Sequence, residues 1–177
     1  MADAPGLRIA VLLEDGFEDD ELRTLIETFE ATGVQLTLLA PFAQRTYKGR
    51  SGQVTLTSEL AAHKIRPDMF AAVVIPGGYA PDKLRMRHAM LDLIRGAVAA
   101  GIAIGAIGHG PQVLISAAVV AGRTMTCWPS IAIDLKNAGA LYVDRPVVDD
   151  DGIITARKTD DVAVFVNAIL KRVVDSR

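Results

Sequence analysis

Apolar residues along this chain keep changing rhythm, and the changes mark its elements. Leu7 to Leu13 is a short apolar run closed by acidic turn residues, the pattern of a buried strand. From Phe17 to Thr32 the period lengthens: Leu22, Leu25, Ile26 and Phe29 share one helical face, and Gly33 closes the helix. Val34 to Ala40 predicts a second strand. Thr46 and Gln53 to Leu56 flank Lys48-Gly49-Arg50-Ser51-Gly52, which predicts a hairpin. Ala71 to Ile75 reads as another buried strand, stopped by Pro76-Gly77-Gly78. A helical stretch follows from Pro81 to Ala100, with a break near Met86 to His88, and Gly101 ends it.

Ile102 to Ile107 is the next predicted strand, and Gly108-His109-Gly110-Pro111 turns it sharply into a helix reaching about Ala121. Pro111 suits a first helical turn, where its missing N–H is no loss. Met125 and Thr126 predict a short strand, Ile131 to Ala138 a helix, and Tyr142-Val143 and Val147-Val148 extended pieces. Asp150-Asp151-Gly152 turns into a strand from Ile153 to Ala156, and a closing helix runs from Asp160 to about Val174. Strands alternating with helices predict an α/β three-layer sandwich, a mostly parallel, flavodoxin-like sheet with helices on both faces. The 177 residues suit one domain, 1–177, with no repeat or linker. Such sheets bind ligands at the carboxyl ends of their strands. Attention therefore falls on Glu14 to Asp20, Pro76 to Asp82 and Gly108 to Gln112.

Composition narrows the partners. Half the residues are apolar and only 5% aromatic, so aliphatic side chains must build the core. A formal net charge of −2 argues against nucleic acid or an anionic membrane as partner. No apolar run reaches the roughly 18 residues that span a bilayer. Met1 to Gly6 lacks the basic-then-apolar pattern of a secretion signal, so a cytoplasmic protein is expected. The one cysteine, Cys127, excludes an intramolecular disulfide and a multi-cysteine metal site. His63, His88 and His109 have no metal-ligand spacing, and the first two read as surface residues. Neither a metal nor a cofactor is expected. The run from Gly108 to Val113 partly matches a dinucleotide fingerprint, but it lacks the third glycine and comes late in the chain.

A strand entering a helix through a tight turn has the geometry of a nucleophile elbow. A cysteine at such a bend would react as its thiolate. The residues around this bend, Ala106-Ile107-Gly108-His109-Gly110-Pro111-Gln112, resemble the elbow of PfpI-like intracellular proteases, deglycases and glyoxalases. That elbow reads alanine, any residue, cysteine, histidine, glycine, proline, glutamine. Gly16-Phe17-Glu18-Asp19 is similar to the family's first acidic loop, and Pro76 to Asp82 to its second. Thr126-Cys127-Trp128-Pro129-Ser130-Ile131 resembles the loop after its next strand. The likeness covers nearly the whole chain and implies the class I glutamine amidotransferase-like fold.

The resemblance implies roles by position. His109 matches the histidine beside the nucleophile, and Glu18 the buried acid that hydrogen-bonds the thiolate. Asp82 matches an acid, commonly glutamate in the PfpI branch, that reaches the histidine of a neighbouring subunit; its other reading is a helix cap. Backbone N–H groups of Gly78 and His109 match the oxyanion donors. Tyr79 and Trp128 wall the pocket or pack between subunits. Cys127 is either a small buried residue or a compensating thiol at the pocket border. A homo-oligomer, dimer or higher, is expected.

The departure is the nucleophile itself. Gly108 has no side chain, so it cannot form a thiohemiacetal or acyl intermediate. Glycine does tolerate strained backbone angles. Three functions stay open. The chain has lost cysteine chemistry but keeps a pocket of Glu18, His109 and Asp82, the last across a subunit contact, for a small anion or carbonyl compound. Or it is a natural or engineered variant of a cysteine-dependent, stress-related glyoxalase, deglycase or peptidase-like hydrolase. Or water is the nucleophile, with Glu18 or His109 as general base.

Overall fold

Along the first strand, β1 (Arg8–Leu12), side chains alternate between two cores: Ile9 and Val11 join one, Ala10 and Leu12 the other. All four are fully buried. A strand buried on both faces reads as a continuous apolar run, as this one does. The computed structural model describes residues 6–175. Met1 to Pro5, on which the absence of a secretion signal was read, lie outside the described residues.

After β1 the chain forms α1 (Asp19–Glu30), β2 (Gln35–Ala40), the hairpin strands β3 (Thr46–Lys48) and β4 (Thr55–Thr57), and a two-residue strand β5 (Leu60–Ala61). It continues through β6 (Ala72–Ile75), α2 (Ala80–Leu84), α3 (His88–Ala99), β7 (Ala103–Ile107) and α4 (Pro111–Ser116). The last part comprises β8 (Thr124–Met125), α5 (Ala132–Asn137), β9 (Leu141–Tyr142), β10 (Val147–Asp150), β11 (Ile153–Ala156) and α6 (Val162–Asp175). Among the described residues the central sheet has seven strands in the order β10-β11-β7-β6-β1-β2-β5. Every pair in it is parallel except β10 with β11.

Helices cover both faces, as the alternation predicts. Leu22, Leu25 and Phe29 of α1 join Phe165, Val166 and Ile169 of α6 in one core. Leu93 and Ile94 of α3, Val113 and Leu114 of α4 and Leu135 of α5 build the other. The chain passes from β1 to β2 on one side, then returns to lay β6 on the other. The crevice at that reversal is where parallel sheets take ligands. The loops leaving β1, β6 and β7 all open there, so topology alone brings the three motif regions together.

Some boundaries differ from the expected ones. The helical stretch after Pro81 breaks at Arg85 to Arg87, as expected. The helix after the elbow is only six residues long. Ala118, at φ 59°, turns the chain out of it, and Val120 is buried in the core instead of extending the helix. The closing helix is preceded by one 3-10 turn at Thr159–Asp161.

Candidate functional site

The elbow is pinned from two sides. The Gly108 N–H donates to the Ala156 carbonyl of β11 at 3.1 Å, and the Gly108 carbonyl accepts the Trp128 N–H at 2.9 Å. Its φ of 62° lies in the left-handed region, which glycine enters without the steric cost a Cβ brings. A Cβ built there would stand 3.1 Å from Glu21 Oε2 and 3.6 Å from the Gly77 Cα. The space where a side chain at 108 would project is therefore bounded by a carboxyl group.

That carboxyl belongs to Glu21, one helical turn beyond the expected acid. Glu21 is 3% exposed. Its Oε1 accepts the Gly77 N–H at 2.6 Å. Burial pushes its pKa up to about 7; the Gly77 donor opposes this, and the charge of Glu18 adds to it. Glu18 sits at the N-cap of α1 with extended backbone, and its Oε2 pairs with Arg50 Nε at 2.9 Å. The buried-acid position read for Glu18 is thus occupied by Glu21. The two residues share a pocket, but the helix turns Glu21 toward the sheet and leaves Glu18 at the wet rim.

The second loop supplies backbone donors. Gly78 has φ 80°, and a Cβ on it would come within 2.7 Å of backbone atoms of Gly16, Phe17 and Glu18. The Tyr79 N–H donates to the Gly16 carbonyl at 2.7 Å, lacing this loop to the first. The N–H groups of Gly78 and His109 have no acceptor among the described residues. Both residues are partly exposed at one cavity, so these two open N–H groups are available to water or to an oxygen-bearing ligand.

Around them lies a cavity of about 280 Å³, lined by Glu18, Glu21, Arg50, Gly78, Tyr79, Gly108, His109, Trp128, Lys158 and Thr159. His109 is half-buried; burial, then the Arg50 charge, lower its pKa, so its ring is neutral at pH 7. Its Nε2 lies 3.3 Å from Ser130 Oγ, and its ring stacks near Trp128 with centroids 6.2 Å apart. Tyr79 and Trp128 are exposed on the rim. Arg50 comes from the β3–β4 hairpin, and its guanidinium lies 5.6 Å from the Tyr79 ring centre. Asp19 holds that hairpin in place, accepting the N–H groups of Ser51 at 2.9 Å and Val54 at 2.8 Å. Burial opposes the Asp19 charge, but these donors outweigh it and hold the carboxyl below its ordinary range.

Two candidates stand elsewhere. Cys127 is fully buried in the same apolar core as Met125, two residues earlier on the chain. Burial, then the Asp134 charge, push its thiol up to about 12. It does not line the cavity, which removes the compensating-thiol reading. Asp82 is exposed in the first turn of α2, also off the cavity.

Arg50, Lys158 and Thr159 line the pocket without having been singled out in the sequence. The last two follow Arg157, whose guanidinium is clamped by Asp161 at 3.0 Å and Asp144 at 2.8 Å. Among the described residues no group of three or more His, Cys, Asp or Glu side chains could hold a metal ion.

A family model described as DJ-1/PfpI matches residues 7–172. The chain belongs to the DJ-1/PfpI family. Among its relatives is the protein/nucleic acid deglycase 2 of Escherichia coli, 39% identical over 159 residues that cover 89% of this chain and 92% of that one. General stress protein 18 of Bacillus subtilis is 35% identical, covering 90% of this chain and 94% of the relative. Among solved structures, Drosophila melanogaster DJ-1beta superposes with a TM-score of 0.86 at 25% identity, over 99% of this chain and 95% of that one. A two-domain Anabaena variabilis protein with DJ-1/ThiJ/PfpI-like and ferritin-like domains superposes at 0.92 with 34% identity. It is matched over 95% of this chain and 48% of its own length. Among the described residues no helix is long and apolar enough to cross a membrane.

Proposed function

We propose that this DJ-1/PfpI-family chain binds small carbonyl or carboxylate compounds in the elbow pocket without forming a covalent bond to them. The observation that carries the reading is Gly108. The bend keeps the left-handed backbone and the open N–H groups around it, but offers no nucleophilic atom. The only thiol in the chain, on Cys127, is buried off the pocket. A ligand here meets the donors of Gly78 and His109, the carboxyl of Glu21 and an aromatic rim. The deglycase name of the Escherichia coli relative supports a carbonyl-bearing ligand class. We include self-association in the proposal: Tyr79 is exposed at the pocket rim, and Asp82 and Met86 are exposed on and beside α2, the helix that follows it.

Titration with methylglyoxal, followed through the His109 ring resonances, checks the reading. Saturable shifts are expected, with no more methylglyoxal consumed than slow side-chain modification accounts for. Many turnovers per chain would contradict it, as would unshifted His109 signals at millimolar ligand.

One observation favours a second reading. The elbow, the acid and the donors are arranged around the spot where a side chain at 108 would project. This is the arrangement a cysteine-bearing parent would need, and such a parent would act as a glyoxalase, deglycase or peptidase-like hydrolase.

A further inference from the structure

Glu21 carries more than a structural role. Only one of its two oxygens is used: Oε1 accepts the Gly77 N–H, whereas Oε2 has no hydrogen-bond partner among the described residues and faces the space beside Gly108. Glu21 is 3% exposed as a residue, and its free Oε2 opens onto the cavity, where water or a ligand can complete it. The glycine at 108 leaves room at that oxygen, and the Gly78 and His109 N–H groups line the same cavity.

We infer that the pocket takes up a small monocarboxylate together with one proton, the ligand's carboxylate accepting a hydrogen bond from the protonated Oε2 of Glu21. This rests on the binding role proposed above and names its ligand class. Two carboxyl groups in contact cannot both stay ionised, so one proton must be shared between them. The other charged groups around the pocket do not take over that task. Arg50 faces it from the hairpin but is paired with Glu18, and Lys158 from the loop after β11 is paired with Asp160 at 2.8 Å. Arg157 is turned to Asp144 and Asp161. His109 on the elbow is neutral near pH 7, its pKa lowered first by burial. Both nearby cations already have a carboxylate partner, so beside Glu21 a single charge that shares a proton is favoured over a dianion. The burial that pushes Glu21 up to about 7 supplies that proton near neutral pH.

Pyruvate is the probe, measured by calorimetry in carboxylate-free buffers at pH 6 and pH 8. Affinity is expected to fall about tenfold between the two, because only about a tenth of Glu21 is protonated at pH 8. Close to one proton should be taken up per pyruvate at pH 8, read from two buffers of different ionisation enthalpy. Glu21→Gln keeps the acceptor for Gly77 and donates permanently through its amide. It should bind at pH 8 as the unaltered chain does at pH 6, with no proton uptake. Equal affinity at both pH values without proton uptake overturns the inference and leaves the pocket's binding role standing. So does the same pH dependence in Glu21→Gln. Absence of pyruvate binding at either pH overturns the inference too; if methylglyoxal still shifts His109, the broader reading survives, and if it does not, both fall. Should the variant fail to fold, proton uptake by the unaltered chain decides alone.

Discussion

The elbow and the loop after β8 are tied by the hydrogen bond from the Trp128 N–H to the Gly108 carbonyl and by the contact of Ser130 with His109, and they divide between them what a cysteine enzyme needs in one place. The elbow has the bend, open backbone donors and a neighbouring acid, but no sulfur. The loop has sulfur, one residue from that hydrogen bond, but in a dry apolar core. A thiol reacts as thiolate, and only surroundings that stabilise charge produce one. Proximity in space is therefore no substitute for the environment at 108. The two carboxyl groups on α1 repeat the lesson: Glu18, partly wet, pairs with Arg50, while Glu21, three residues on, is buried and holds its proton to about pH 7.

The largest effect that could break this contrast is in thiol reactivity. With Cys127 pushed up to about 12, its thiolate is scarce at pH 8. A disulfide reagent should modify the folded chain on the order of a thousandfold more slowly than the urea-unfolded chain. Comparable rates would place the thiol within reach of the pocket after all.

Next in size is the stability cost of Glu21. Its pKa is raised on folding from 4.5 to about 7, so the folded chain holds a proton that the unfolded chain releases. Stability from this group is greatest below pH 4.5, falls as pH rises toward 7 and is level above it. Glu21→Gln does not titrate. Denaturant unfolding should show its stability relative to the unaltered chain improving by on the order of 2–3 kcal/mol from pH 5 to pH 8. A constant difference would mean that folding leaves the titration of Glu21 unchanged.

Smaller effects test how the rim is held. Asp19→Asn should cost about 1–2 kcal/mol by weakening the bonds to Ser51 and Val54. Faster amide exchange at those two residues is the specific sign. Because the Asp19 pKa is lowered, the stability it gives is present above the ordinary carboxylate range and is lost as pH falls through its folded value. Arg50→Ala, which removes a pair whose side chains are 46% and 29% exposed, should change stability by less than about 1 kcal/mol.

Much of this was readable along the chain. Continuous apolar runs gave the buried strands, and their alternation with helical periods gave the layers. The turn residues gave the elbow and both loops. What was not readable was local direction. Glu18 and Glu21 both lie in an acidic stretch, and a motif names the stretch but not the face. The signal was there in the spacing: Glu21, Leu25 and Phe29 are four apart, so this acid belongs to the apolar stripe of α1. Cys127 follows Met125 by two, the period that sends both into one core along an extended segment. Arg50, Lys158 and Thr159 lie outside the three strand-end loops on which attention fell, and only the folded hairpin and the clamp on Arg157 bring them in. The shortening of α4 depends on Val120 finding a place in the core, which no local pattern encodes.

The most direct measurement compares methylglyoxal turnover by the unaltered chain and by Gly108→Cys, each confirmed to be folded. Turnover appearing only in the variant is the predicted result, because the bend, the acid and the donors are in place and only the sulfur is absent. Equal turnover by the unaltered chain would contradict the account. So would a folded variant with an ionised thiol at 108 that turns over no faster.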